Sequence, residues 1–261
     1  MSEHDQRPDR PAALITGAAR RIGARIARAF GEDGWHVVIH YHRSARAAEE
    51  LAATLPSAET VACDLSDHAA AAAMIAGLAE RLPDWRVLVN SASVFQRDEA
   101  SALDPATWTG AMRVNALAPA RMAQAFLARA RGTTGRRVIQ VTDQKLANPN
   151  PDFFSYTMSK HAAAATVPML AMGAARVEDR VYALAPGAIL ASHDQSEAET
   201  EVSHRLNLLR RKTGADEIAG ACLWLAQGWL ASGETLYVDS GQHLLSQPRD
   251  VIYLAREGAA A

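Results

Sequence analysis

Three residues close together in the chain carry the groups needed to move a proton: Asp143, Tyr156 and Lys160. Tyr156 and Lys160 are four apart, and residues at i and i+4 share one face of a helix. A phenol is a poor proton donor near neutrality because its ordinary pKa is about 10. An ammonium held beside it favours the phenolate, so the pair predicts a lowered Tyr156 pKa and easier proton exchange with a substrate. Asp143 follows a short β-branched run (Val138, Ile139, Val141) and brings a carboxylate to the same place. A tyrosine and a lysine four apart on a helix are otherwise common surface residues. The pair gains meaning only if the chain places it beside a binding site.

The elements needed to do so are legible. Apolar runs at 36–41, 60–63, 86–90, 137–141, 181–184 and 235–238, with a first run just after residue 11, read as strands. Helical patterns at 45–53, 69–82, 108–131, through Tyr156, and at 218–227 separate them, together with an Ala/Arg-rich helix after the first strand. Strands that are apolar throughout and alternate with helices indicate a parallel sheet covered on both faces. The expected fold is α/β: one Rossmann-like, doubly wound parallel sheet of about seven strands. Residues 1–11 are polar and Pro-bounded and read as a disordered N-terminal segment, 12–245 as the folded domain, and 246–261 as a tail or subunit contact.

The first strand runs into Thr16-Gly17-Ala18-Ala19-Arg20-Arg21-Ile22-Gly23 and then a helix. Glycine permits the tight turn, and the helix N-terminus offers unpaired N–H groups and partial positive charge to a pyrophosphate. Arg21 adds a cation beside the phosphates and at the edge of the substrate site. The second strand ends in His40-Tyr41-His42-Arg43-Ser44, with no acid for a ribose 2′-hydroxyl. Arg43 can make a charge-assisted bond to a 2′-phosphate and Ser44 can donate at the next helix start, so the site predicts NADP(H). Asp64, after the third strand, suits an adenine amino group or a helix N-cap.

The 261 residues carry a formal net charge of -2 and two cysteines, Cys63 and Cys222. Nothing points to a nucleic-acid surface or a polybasic membrane patch. The cysteines read as buried thiols of a reducing compartment, and the histidines have no metal-ligand spacing. The N-terminus lacks the apolar core of a signal peptide, and no run approaches the ~18 apolar residues of a membrane span. The expectation is a cytoplasmic protein without metal.

Thr-Gly-x-x-x-x-x-Gly, Asn90 at the end of the fourth strand, Asn115 within a helix, Tyr-x-x-x-Lys and Pro186-Gly187 after the sixth strand occur in that order. Over residues 12–245 the chain resembles the short-chain dehydrogenase/reductases. Most members place a serine thirteen residues before the tyrosine, where this chain has Thr142-Asp143 (156 − 143 = 13). That aspartate, the turn with Arg21, His-Tyr-His-Arg-Ser, and Asn90-Ser91-Ala92-Ser93-Val94-Phe95 resemble pteridine reductases. The Thr-Asp and Lys212-Thr213 are similar to the bacterial dihydromonapterin reductases. Ser91, Val94 and Ser240 depart from the common pattern.

The resemblance implies NADPH held at Gly17, Arg21, Ile22 and Gly23 (pyrophosphate), His42, Arg43 and Ser44 (2′-phosphate), and Asp64 and Leu65 (adenine). It further implies Asn90, Ser91, Ala92, Ser93 and Asn115 along the cofactor, and Tyr156, Lys160, Pro186 and Gly187 at the nicotinamide end. Arg21, Ser93, Phe95, Asp143 and Tyr156 would meet the substrate, with Phe95 stacking on a pterin. Offset aromatic stacking adds roughly 0.5–1.5 kcal/mol beyond burial. The implied reaction is hydride transfer to a dihydropterin C=N bond, giving a tetrahydropterin. Asp143 suits it, because an imine nitrogen is more basic than a ketone oxygen and can take a proton from an acid. The alternatives are a short-chain reductase of another carbonyl or imine, and a non-catalytic NADP(H)-binding sensor, against which the Tyr156–Lys160 pair argues. Members are usually tetramers. In the polar stretch 190–211, His193, Asp194 and Glu197 suit either a polyol contact or a solvated helical lid.

Overall fold

The computed structural model describes residues 10–192 and 195–259. Seven parallel strands form one sheet in the order β3-β2-β1-β4-β5-β6-β7. They are β1 (Ala12–Ile15), β2 (His36–Tyr41), β3 (Ala58–Ala62), β4 (Trp85–Asn90), β5 (Arg137–Val141), β6 (Arg180–Pro186) and β7 (Thr235–Val238). Successive residues of a strand face opposite sides of the sheet, and both sides are buried along β1, β2, β4, β5 and β6. Ala13, Ile15, Val37 and Ile39 enter one core with α1 (Arg21–Glu32), α2 (Ala45–Ala52) and α8 (Ala215–Ala226). Ala12, Leu14 and Val38 enter the other with α3 (His68–Arg81), α5 (Ala118–Arg129) and α6 (Phe154–Gly173). The strand order reverses between β1 and β4, which opens a crevice at the C-terminal ends of the strands, where ligands bind in such sheets. Among the described residues no helix is long and apolar enough to cross a membrane.

The helix expected at 108–131 is divided. Helix α4 (Pro105–Ala111) begins at Asp104, whose side chain caps Thr107 N–H at 2.7 Å. A six-residue π-helical turn, Met112–Leu117, then leads into α5. Pro119 lacks an N–H and cannot take part in a continuous ladder, and the wider turn absorbs the mismatch. Asn115 sits in that turn, buried. Helix α8 starts three residues earlier than expected, because Glu217 reaches back to Gly214 N–H at 2.8 Å. Helix α7 (Glu197–Ser203) is closed by a Ser196–Glu199 capping box.

Most of the expected N-terminal segment, residues 1–9, lies outside the described residues, as do His193 and Asp194. The segment after β7 turns back onto the chain. Asp152, 2% exposed, accepts from Arg249 Nε at 3.0 and 2.9 Å and from Asp250 N–H at 2.7 Å. Helix α9 (Val251–Ala259) then buries Val251, Ile252 and Ala255.

At the other end of the sheet, Arg136 and Asp179 join the start of β5 to the turn before β6. Their side chains are 5% and 0% exposed, and the guanidinium bonds both carboxylate oxygens, Nε at 3.0 Å and Nη2 at 2.5 Å. Removing one partner of a buried pair strands the other's charge. Asp179→Ala should therefore lower stability by about 3–5 kcal/mol in urea unfolding. A loss under about 1 kcal/mol would mean that the pair behaves like a solvated one.

Candidate active site

The cavity of about 790 Å3 at the strand C-termini is walled by the turn after β1, the ends of β2 to β6, α6, and the tail. Its first wall is the glycine turn. Gly17 has φ +65°, and a Cβ there would stand 2.9 Å from Ala92 Cα; a Cβ on Gly23 would stand 2.5 Å from Gly17 O. Arg21 takes φ 55°, a conformation that suits glycine and costs another residue about 1–3 kcal/mol. Its guanidinium donates to Ala191 O at 2.9 Å, joining the turn to the start of the polar stretch.

His40 holds this turn from below, and its role was not read from the sequence. It is 2% exposed, and its Nδ1 accepts from Gly17 N–H at 3.1 Å. Nε2 must then carry the proton and donates to Cys63 O at 3.1 Å. Burial, opposed by that carbonyl, holds its pKa down to about 4, so the ring stays neutral. A histidine in an apolar strand carries little signal for such a contact, since the partners come from other elements.

Around the rim, His42 and Arg43 are exposed and line the cavity, with His42 Nε2 3.6 Å from Asp64 Oδ2. Asp64 accepts from Ser66 N–H at 2.9 Å, which keeps its carboxyl below the usual range. Leu65, Ser91, Ala92, Ser93, Phe95, Pro186 and Gly187 also line it. Three of the expected cofactor residues do not. Ser44 precedes α2 without capping it. Asn90 is buried and donates to Pro119 O at 3.3 Å, its Oδ1 without a partner. Asn115 bonds Val94 through both N–H (2.8 Å) and O (2.9 Å), and Ser159 Oγ at 3.0 Å. The two asparagines brace the wall from behind.

At the inner end, Tyr156 Oη donates to Asp143 Oδ2 at 2.7 Å, and Asp143 Oδ1 accepts from Lys145 N–H at 2.9 Å. Lys160 lies over the Tyr156 ring and gives its hydrogen bond elsewhere. Its Nζ donates to Val141 O at 2.7 Å and lies 5.7 Å from the Tyr156 ring centroid. The expectation of a lowered Tyr156 pKa is therefore corrected: burial, and then the Asp143 charge, raise it well above the ordinary value. Burial also raises Asp143, and it lowers Lys160 to about 8. The reason is burial first, and then a carboxylate as the phenol's direct partner while the ammonium donates to a carbonyl.

Phe95 stacks on Phe153 with centroids 4.2 Å apart and meets Tyr156 edge-on at 4.7 Å. Phe153 itself stacks on Tyr253 of α9 at 6.0 Å. Thus one face of Phe95 is taken up by the protein. The tail contributes Gln247, Asp250, Val251 and Ile252 to the cavity wall, residues that sequence position alone did not single out. Asp250 Oδ2 lies 3.4 Å from Lys145 Nζ, which also donates to Asp152 O at 2.6 Å. Glu197, named with the polar stretch, is exposed at the start of α7.

The arrangement is a long cleft with a tight glycine turn at one end and the hydrogen-bonded Tyr156–Asp143 pair at the other. Residues 17–243 match the family described as enoyl-(acyl carrier protein) reductase. Pteridine reductase 1 of Leishmania tarentolae is 28% identical over 282 residues, covering 91% of this chain and 98% of that protein. The FolM alternative dihydrofolate reductase 1 of Brucella canis, solved in complex with NADP, superposes with a TM-score of 0.85 at 31% identity, over 92% of this chain and 96% of that one. The angucycline C-6 ketoreductase LanV with bound NADP superposes with a TM-score of 0.82 at 28% identity, over 90% and 96% of the two chains. Matched by the family model over residues 17–243, the chain belongs to the short-chain dehydrogenase/reductase family.

Proposed function

We propose that this NADP-dependent reductase acts on dihydropterins, reducing a ring C=N bond to give the tetrahydropterin. The observation that carries the reading is the 2.7 Å bond from Tyr156 Oη to Asp143. A carbonyl substrate needs only a hydroxyl beside the tyrosine. A ring nitrogen that must gain a proton is better served by a carboxyl group whose pKa is raised. The likeness to a pteridine reductase and to an alternative dihydrofolate reductase supports this substrate class.

The residues present fit NADPH. The turn at Gly17 and Gly23 leaves no room for side chains, as close backbone approach to a pyrophosphate requires. Arg21 and Ile22 flank that turn. Arg43 and His42, with Ser44 next in the chain, present donors and no acid after β2. Asp64 and Leu65 would hold the adenine, Ser91, Ala92 and Ser93 the middle, and Lys160, Pro186 and Gly187 the nicotinamide end. When bound, NADPH supplies the hydride. The chain's own work is to hold a proton. Tyr156 keeps its hydrogen at neutral pH, Asp143 retains or receives one at higher pH than an exposed carboxyl, and Lys160 is anchored to Val141 O with its charge beside both. Phe95, backed by Phe153, offers an edge or remaining face to a flat ring.

A ketone substrate is the second reading, favoured by the likeness to LanV. We further read the exposed apolar side chains Leu117, Met158, Met169 and Met172 on and beside α5 and α6 as supporting a homotetramer.

NADPH oxidation assayed with dihydromonapterin, dihydrobiopterin and a panel of ketones decides between substrates, with turnover of ketones alone sinking the pterin reading. In the same assay Asp143→Ser should reduce pterin kcat/KM by about 10²–10⁴-fold and change NADPH affinity less than about twofold. Equal losses in both would make Asp143 structural. Arg43→Asp removes a charge-assisted bond and should move the NADPH:NADH preference toward NADH by roughly 10–100-fold. An unchanged ratio would refute the 2′-phosphate assignment. The pH profile has a definite sign. Reduction consumes a proton, and Asp143, its pKa raised, loses its own above the ordinary carboxylate range; Lys160 loses its charge at about 8. Pterin reduction should therefore fall in two steps as pH rises, and Asp143→Asn should retain only the step near 8. A rate that climbs through pH 8 contradicts the assignment.

A further inference from the structure

At the N-terminal edge of the sheet, opposite the cofactor cleft, a second cavity of about 350 Å3 lies against two arginines at the starts of β4 and β5, Arg86 and Arg137. Arg137 is 8% exposed and, unlike Arg136 beside it, has no carboxylate partner among the described residues. Its Nη1 donates to Glu178 O at 2.7 Å and Arg136 O at 3.2 Å, and its Nη2 to Thr134 O at 3.3 Å. Its Nε is buried and has no acceptor. Arg86 pairs with Asp84 at 2.6 Å and donates to Thr133 Oγ1 at 3.0 Å, and its Nε too is buried without an acceptor. Two carboxylates of this end of the sheet are already engaged, Asp84 by Arg86 and Thr133, and Asp179 by Arg136.

The backbone is shaped around this guanidinium. A Cβ on Gly228 (φ +79°) would stand 2.5 Å from Arg137 Nε, and one on Gly135 (φ +93°) 2.7 Å from its Nη1. Two left-handed glycines thus make room for a cation whose charge no neighbour cancels. Burial holds its pKa below the usual arginine value, and Arg180 and Arg86 repel it; the Tyr182 phenol and Asp179, already paired with Arg136, offset this only in part. Carbonyl dipoles offset part of such a burden, and a water molecule could meet an N–H, but neither supplies a negative charge.

We infer that this cavity binds a small oxyanion, a phosphate or carboxylate group, on the free Nε–H groups of Arg137 and Arg86. A charge-assisted bond from each satisfies the donor and neutralises the excess charge together. Thr134 and Gln227, both exposed, stand at the mouth and give the ligand a route in. The site is separate from the cofactor cleft and does not depend on the substrate assigned there.

Thermal unfolding of the NADPH-saturated protein tests it, since the cofactor then occupies the other phosphate-binding groups. Inorganic phosphate and acetate are titrated separately against sodium chloride at matched ionic strength. The expected result is a saturable rise in Tm of about 2–4 °C with at least one of them. Phosphate alone points to a phosphorylated ligand, and acetate alone to a carboxylate one; both outcomes support the site. Arg137→Met should abolish the rise. Gln227→Glu tethers a carboxylate at the mouth and should weaken the anion about tenfold, and Arg86→Met serves as a second charge deletion if Arg137→Met fails to fold. No rise in the wild type, or an equal rise in Gln227→Glu and either methionine variant, overturns the proposal.

Discussion

The hydrogen bond between Tyr156 and Asp143 is the interaction around which the inner end of the cleft is built. Two acids joined by a 2.7 Å hydrogen bond and both half-buried do not both ionise at neutral pH. The site is thereby held in a protonated state, which is the state a reductase needs. A lysine placed closer to the phenol would favour the opposite state. The chain keeps Lys160 charged and near, but its ammonium is bonded to Val141 O. Buried cations in this protein repeatedly take main-chain carbonyls as partners, as Lys145 does with Asp152 O and Arg137 with Glu178 O.

That pair is useful only because the sheet delivers both residues to one place. Asp143 follows β5 by two residues and Tyr156 lies in the first turn of α6, and α6 packs over β5 and β6. The reversal of strand order between β1 and β4 brings the glycine turn to the same edge. His40 and Asn115 then fix the loops in register, one by holding Gly17 N–H and the other by holding both backbone groups of Val94. Asn115 need not touch a ligand to matter, because it stands in for the backbone partners that the loop at Val94 lacks. The tail completes the enclosure, tied down by Asp152 and by the stack of Phe95, Phe153 and Tyr253.

Local chemistry made much of this legible in advance. The β-branched runs, the glycine turn, the residues after β2 and the spacing of Asp143, Tyr156 and Lys160 are short-range patterns, and each depends on neighbours within a few positions. The alternation of strand and helix is likewise a local signal that determines a parallel sheet. What stayed hidden rests on contacts between distant residues. The π-helical turn before Pro119, the clasp of His40 on Gly17 and Cys63, and the return of residues 246–259 to the cavity wall join positions separated by tens of residues or respond to packing.

Residue type and periodicity were enough to give the alternation of strand and helix and to single out Asp143, Tyr156 and Lys160 as candidates for moving a proton. Only the tertiary structure decided which charge the phenol faces. A pKa depends on the nearest partner and on access to water, and both are set by how β5, α6 and the tail close over one another. The same closure left Arg137 buried without an acid, a condition that no spacing along the chain encodes.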